Sequence, residues 1–160
     1  MNFIKKIITS QLKNFCLVEK IMMWESIWMI LSQMVGQRSH HPVHKVGCVI
    51  VSADNTQVLS IGYNGNYKGG NNEVDSTLPG MSGLIHAEIN ALLKMDYNNP
   101  KGKIMYITLS PCVMCAKAII NAGIDKVYYL ETYRDRDGIE LLKKAGIHVE
   151  GFQSKFGFSI

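Results

Sequence analysis

Apolar side chains at Phe3, Ile4, Ile7, Ile8, Leu12, Phe15 and Cys16 recur at helical spacing and predict a helix over residues 3–18. A second helical stretch covers residues 20–35 and stops at Gly36. The period then changes. The polar, histidine-rich stretch 37–45 reads as a loop, and the run 46–52, largely apolar, as a buried strand. Asp54-Asn55 makes a turn, and residues 57–63 return as a second strand, which closes a hairpin. Residues 64–83, punctuated by Gly65, Gly69, Gly70, Gly80 and Gly83, read as a long shaped loop. Beyond it, helices over 85–95, 112–121 and 137–145 alternate with strands over 103–109, 126–131 and 147–152. Pro100, Gly123 and Gly146 punctuate that alternation. A hairpin followed by strand–helix alternation predicts an α/β fold, with parallel crossovers in the back half and helices flanking a mixed five-stranded sheet. The unit spans residues 21–160, preceded by a helical extension over 1–20.

Composition changes this picture little. A chain of 160 residues with 47% apolar content is long enough to bury a real core as one domain. Its net charge of +4 is spread along the chain, which suits an anionic small molecule and does not call for nucleic acid. No apolar run is long enough to cross a membrane. Met1 to Lys6 resembles the start of an export signal, but Gln11, Lys13 and Asn14 break the apolar stretch that should follow, so no signal is read and a cytoplasmic location is expected. Met22 and Met23 offer alternative starts. Four cysteines, Cys16, Cys48, Cys112 and Cys115, fit a reducing compartment better than a disulfide framework. Cys16 and Cys48 lie in apolar surroundings and read as packed thiols.

The chemistry concentrates in two short motifs, His86-Ala87-Glu88 and Pro111-Cys112-Val113-Met114-Cys115. One imidazole and two thiolates supply three zinc ligands, and three protein ligands leave the fourth tetrahedral position open, as a catalytic zinc requires. Glu88, two residues from His86, is then placed to move protons of a water at that position. Both motifs fall at predicted helix starts. Cys112 and Cys115, three apart, share a face of one turn. His86 and Glu88, two apart, would diverge in mid-helix, but in a first turn both can point beyond the helix end. A lone C-x-x-C also suits a redox pair, and a lone H-x-E arises by chance; it is the combination that is specific. The remaining histidines, His40, His41, His44 and His148, read as loop or surface residues.

With these residues in view, the stretch from about Trp24 to Gly151 resembles the zinc-dependent cytidine/deoxycytidylate deaminase family, most of all its deoxycytidylate (dCMP) branch. The resemblance is carried by Val46-Gly47-Cys48-Val49-Ile50-Val51, Gly62-Tyr63-Asn64-Gly65, His86-Ala87-Glu88-Ile89-Asn90-Ala91, Leu109-Ser110-Pro111-Cys112-Val113-Met114-Cys115-Ala116-Lys117 and Ile119-Ile120-Asn121-Ala122-Gly123-Ile124. It implies a three-layer α/β fold and one zinc per chain, held by His86, Cys112 and Cys115. It also implies hydrolysis of dCMP to dUMP and ammonia, with Glu88 as the proton carrier. The backbone of Ala87 would meet the base carbonyl, the Ser110 carbonyl the amino group, and Asn64 the sugar; a turn role before Gly65 is the other reading of Asn64. A nucleotide also needs a phosphate site, for which Arg38 and Lys45 flank the loop before the first strand, with Lys68, Arg134 and Arg136 as further candidates. Tyr133 follows the fourth strand, where it can close over substrate or simply pack.

The chain also departs from the family pattern. Tyr67 stands where proline is usual, and the insert before His86 is short. Residues 66–85 hold neither cysteine nor histidine, so a second zinc in that insert is not expected. The family's regulation by dCTP and dTTP draws on the Gly-Tyr-Asn-Gly neighbourhood, and the altered loop removes the ground for carrying it over. Family members assemble as dimers or hexamers, which implies a homo-oligomer. Two other readings stand beside the dCMP one. One is a zinc deaminase acting on another nucleoside, a base or tRNA adenosine; the other is a non-catalytic zinc-binding member of the fold, against which Glu88 argues.

Overall fold

The computed structural model describes residues 23–78, 80–99 and 101–152. The helix expected over residues 3–18 lies outside them. Helix α1 (Trp24–Gly36) leads into strands β1 (Gly47–Ser52) and β2 (Val58–Tyr63). After the long loop come α2 (Ala87–Leu92), β3 (Lys103–Leu109), α3 (Val113–Asn121), β4 (Lys126–Glu131), α4 (Asp137–Lys144) and β5 (His148–Gly151). The five strands form one sheet in the order β2-β1-β3-β4-β5. β1 runs antiparallel to both β2 and β3, whereas β3, β4 and β5 are parallel. The mixed sheet expected from the hairpin and the strand–helix alternation is therefore the sheet observed.

Strand alternation explains why there are three layers. Cys48 and Ile50 of β1, Met105 and Ile107 of β3, and Val127 and Tyr129 of β4 point to one face, where α2, α3 and α4 cover them with Ala87, Ala91, Ala116, Ile119, Ile139 and Leu142. The intervening residues, Val49, Val51, Ile104, Tyr106, Tyr128 and Leu130, point to the other face and meet Trp28, Met29 and Val35 of α1. β1 is buried along its whole length, as its largely apolar run required. Burial of β1 and β3 from both sides makes the sheet centre the rigid platform from which the loops at the strand ends project.

Two element boundaries differ from the sequence reading. The helix expected over 85–95 is regular only over Ala87–Leu92. Lys94 and Met95 bond three residues back, to the carbonyls of Ala91 and Leu92, so the chain tightens into turns before Asn98. His86 and Cys112 are not in their helices but cap them, with extended backbone at ψ 154° and 170°.

Candidate active site

Those two caps carry the site. In each, the cap residue's carbonyl accepts the first helical hydrogen bond, from Asn90 to His86 (3.0 Å) and from Ala116 to Cys112 (2.8 Å). Its extended backbone leaves the side chain projecting past the helix end. Glu88 sits in the first turn of α2 and Cys115 in the first turn of α3, so all four side chains converge beyond two helix starts.

Close backbone contacts between elements fix where those helix starts lie. A β-carbon on Gly62 of β2 would run into the Ala87 carbonyl oxygen and the Ala91 nitrogen, so α2 rests directly on β2. Asn90 reinforces the contact by donating to the Tyr63 carbonyl at 2.9 Å. A β-carbon on Gly138 of α4 would likewise run into the Pro111 carbonyl, so α4 presses on the turn that carries Cys112. Gly62 and Gly138 thus position the ligands without touching them. Gly62→Ala is expected to cost about 1–3 kcal/mol by forcing backbone apart. The expected readouts are a lower denaturant midpoint and a reduced zinc content on purification. A variant matching the parent in both would show that α2 does not depend on this contact.

The donor atoms of His86, Cys112 and Cys115 lie within 4.8 Å of one another, the one such three-residue group among the described residues. His86 turns Nδ1 toward the sulfurs, at 3.3 Å from Cys115 Sγ and 3.7 Å from Cys112 Sγ. Tetrahedral zinc with ordinary bond lengths separates its nitrogen and sulfur ligands by about 3.6 Å. The three side chains therefore match the size and chemistry of a zinc ligand set. Hydrogen bonds from Cys115 and then His86 hold the Cys112 thiol down to about 3, against the opposing effect of burial. The Cys115 thiol is pushed up, first because it donates to Cys112 and then by burial. The His86 imidazole is raised, chiefly by its hydrogen bond to Cys112, with burial opposing. One negative charge is thus shared between two sulfurs and an imidazole, a conflict of the kind a dication resolves.

Glu88 is buried at 4% exposure, and its carboxyl is raised above the usual range chiefly by that burial. A buried carboxyl with a raised pKa beside candidate metal ligands is a candidate to take up and release a proton. Cys48, by contrast, is fully buried in the core, and its thiol is pushed well up, first by burial and then by the charge of Glu88.

A cleft opens over this cluster. His86, Ala87, Glu88 and Cys112 line it, with Ser110, Leu109, Asn64 and Val46 from the strand ends, and His41, His44, Gly80, Ser82 and Tyr133 from the loops. The structure thus brings Asn64, Ala87, Ser110 and Tyr133 to the cleft beside the candidate zinc ligands and Glu88. Asn64 is buried, and its side chain already accepts from the Val46 N–H (2.9 Å) and donates to the His44 carbonyl (2.8 Å). One amide hydrogen and one lone pair are left to face a ligand. The Ser110 hydroxyl accepts from the Tyr133 N–H at 2.8 Å and so holds that tyrosine's loop. Arg134 lies over the Tyr133 ring, 5.2 Å from its centre.

Arg38 and Lys45 do not reach the cleft. Both are exposed, and Lys45 faces a neighbouring recess with Gln33, Gln37 and Glu131. The loop between them turns the other way because Ser39 is buried and donates to the Asn64 carbonyl at 2.8 Å. That tether buries His41 at the cleft, where His44 also lines the wall from an exposed position, although the sequence reading had left both as loop or surface residues; His40 and His148 are exposed as expected.

With this geometry in hand, the likeness to known proteins is direct. The profile of the cytidine and deoxycytidylate deaminase zinc-binding region matches residues 22–131, and the chain belongs to that family of zinc-binding deaminases. It is 33% identical to the deoxycytidylate deaminase of Mus musculus over 149 residues, covering 83% of this chain and 82% of the mouse protein. It is 35% identical to the Homo sapiens deoxycytidylate deaminase over 126 residues, covering 71% and 68% of the two chains. The dCMP deaminase of cyanophage S-TIM5, solved in complex with dCMP and dUMP, superposes with a TM-score of 0.69 at 36% identity, covering 79% of this chain and 94% of the phage chain.

Proposed function

We propose that this protein is a deoxycytidylate deaminase, hydrolysing dCMP to dUMP and ammonia. The observation that carries the proposal is the convergence of His86, Cys112 and Cys115 within 4.8 Å of one another, beside buried Glu88. His86 Nδ1 and the two cysteine sulfurs would hold zinc. When bound, zinc lowers the pKa of a coordinated water to about 7 and so supplies a nucleophile at neutral pH.

The remaining chemistry belongs to the chain. Ala87 and Ser110, which both line the cleft, would present backbone groups to the base carbonyl and the amino group. The spare amide hydrogen of Asn64 meets the sugar. The water oxygen bonds to carbon 4 of the cytosine, and Glu88 takes one proton from that water and passes it to ring nitrogen 3. Glu88 then carries the second water proton to the amino nitrogen. The carbon–nitrogen bond breaks, ammonia leaves, and the oxygen remains as the new carbonyl of dUMP. Burial raises the Glu88 carboxyl above the usual carboxylate range, which eases its uptake of the proton that it then passes on.

A panel of dCMP, deoxycytidine, cytosine and guanine, followed by ultraviolet absorbance, tests the substrate. The expected result is the highest kcat/KM for dCMP. Equal or faster turnover of deoxycytidine would defeat the monophosphate assignment and return the choice to the wider deaminase family. The same assay with dCTP and dTTP added addresses regulation, and sedimentation addresses the dimer or hexamer expected of family members.

No helix among the described residues is long and apolar enough to cross a membrane.

A further inference from the structure

Among the described residues neither a lysine nor an arginine lines the cleft, although the proposed substrate carries a phosphomonoester. Outside the candidate zinc ligands and Glu88, the cleft's polar side chains are those of His41, His44, Asn64, Ser82, Ser110 and Tyr133, and the Ser110 hydroxyl already accepts the Tyr133 N–H. We propose that His41 and His44 form the phosphate-recognition end of the cleft, reading the 5′-phosphomonoester of a nucleotide with imidazole donors in place of guanidinium or ammonium groups. This rests on the deoxycytidylate reading above and names the part of the site that would distinguish a nucleotide from a nucleoside.

His41 is built into the site, and His44 joins it from an exposed position in the cleft lining. His41 is only 5% exposed. Its Nδ1 accepts the N–H groups of Val43 (3.1 Å) and His44 (2.9 Å). An imidazole nitrogen that accepts carries no proton, so in the neutral ring the proton sits on Nε2, and Nε2–H is the donor left for a ligand. Burial, and then the neighbouring His44, hold the His41 pKa below its ordinary value, in keeping with a neutral donor. The two rings lie 5.5 Å apart, close enough for one anion to meet both.

The same loop is fastened to the residue assigned to the sugar. The Ser39 hydroxyl donates to the Asn64 carbonyl (2.8 Å) and accepts the His41 N–H (3.1 Å). The Asn64 amide donates to the His44 carbonyl at 2.8 Å. Asn64, His41 and His44 therefore move as one unit. A deoxyribose at Asn64 directs its 5′ substituent to the adjacent part of the cleft, and little ordering remains to be done on binding.

The test separates the ligand role from the structural one. Asparagine at position 41 places a side-chain oxygen near the position of Nδ1 and keeps the turn's acceptor while removing the Nε2 donor. His41→Asn and His44→Ala are each assayed on dCMP and deoxycytidine, with Arg134→Ala in parallel. A hydrogen bond to a charged group is strong enough that the dCMP-to-deoxycytidine ratio of kcat/KM should fall about tenfold or more in each histidine variant. The fall should appear in KM for dCMP. A purely structural role lowers both substrates together and leaves the ratio within about threefold of the parent; that result overturns the proposal. So does a ratio that collapses in Arg134→Ala while both histidine variants keep it. The parent protein's own preference between the two substrates tests the deoxycytidylate reading separately.

Discussion

Glu88→Gln is expected to lower kcat on dCMP by about 10³-fold or more while the protein keeps its fold and its zinc. General acid–base groups contribute typically 10²–10⁴-fold. Here a single carboxyl is assigned both proton transfers, which puts the loss at the upper end of that range, with 10⁴-fold corresponding to about 5.5 kcal/mol of barrier. Glutamine is nearly isosteric, so the packing of buried Glu88 survives, and it removes only the capacity to exchange a proton. The checks are steady-state kinetics and zinc content on the same preparation. Turnover within tenfold of the parent would remove Glu88 from the chemistry. Loss of zinc together with activity would instead make it a support of the metal site.

Cys115→Ala carries the second large expected effect. Cys115 is 2% exposed, and its sulfur lies 3.3 Å from His86 Nδ1, so its removal opens the ligand cluster from the buried side. Two remaining ligands do not hold zinc as three do, and water without the metal keeps a pKa near 15.7, about nine units above the metal-activated value. The expectation is a zinc content well below one per chain and turnover reduced below detection. Added chelator should no longer change the variant's melting temperature, as it should in the parent. Cys48→Ala is the matched control, because Cys48 is buried in the core and stands outside the group of His86, Cys112 and Cys115. It should retain zinc. One zinc per chain in Cys115→Ala, at the parent's affinity, would contradict the assigned ligand set.

The zinc chemistry was legible because its determinants are local. Ligand identity and spacing sit inside two motifs of a few residues, and Pro111 marks the start of the helix behind Cys112. The sheet was legible for a similar reason, since the apolar run at Cys48–Val51 cannot be anything but buried on both faces. What escaped depends on contacts between residues far apart in the chain. Charge alone pointed to Arg38 and Lys45 as anion partners, whereas a hydrogen bond from Ser39 to Asn64, 25 residues away, ties the loop so that His41 and His44 line the cleft. Gly62 and Gly138 matter through backbone contacts with α2 and with the Pro111 turn, and a glycine in the first turn of a helix, as at Gly138, was the one visible hint. The shortening of α2 depends on three-residue-back bonds at Lys94 and Met95, which periodicity does not distinguish from helix.

The central claim is that this cleft hydrolyses the exocyclic amine of a cytosine nucleotide. Turnover of dCMP in ¹⁸O-labelled water, with dUMP analysed by mass spectrometry and ammonia quantified in the same reaction, tests it most directly. The account predicts one labelled oxygen in each dUMP and one ammonia released per dUMP formed, with both products abolished in Glu88→Gln. Unlabelled dUMP, or zinc-loaded protein that releases no ammonia from dCMP, would contradict it.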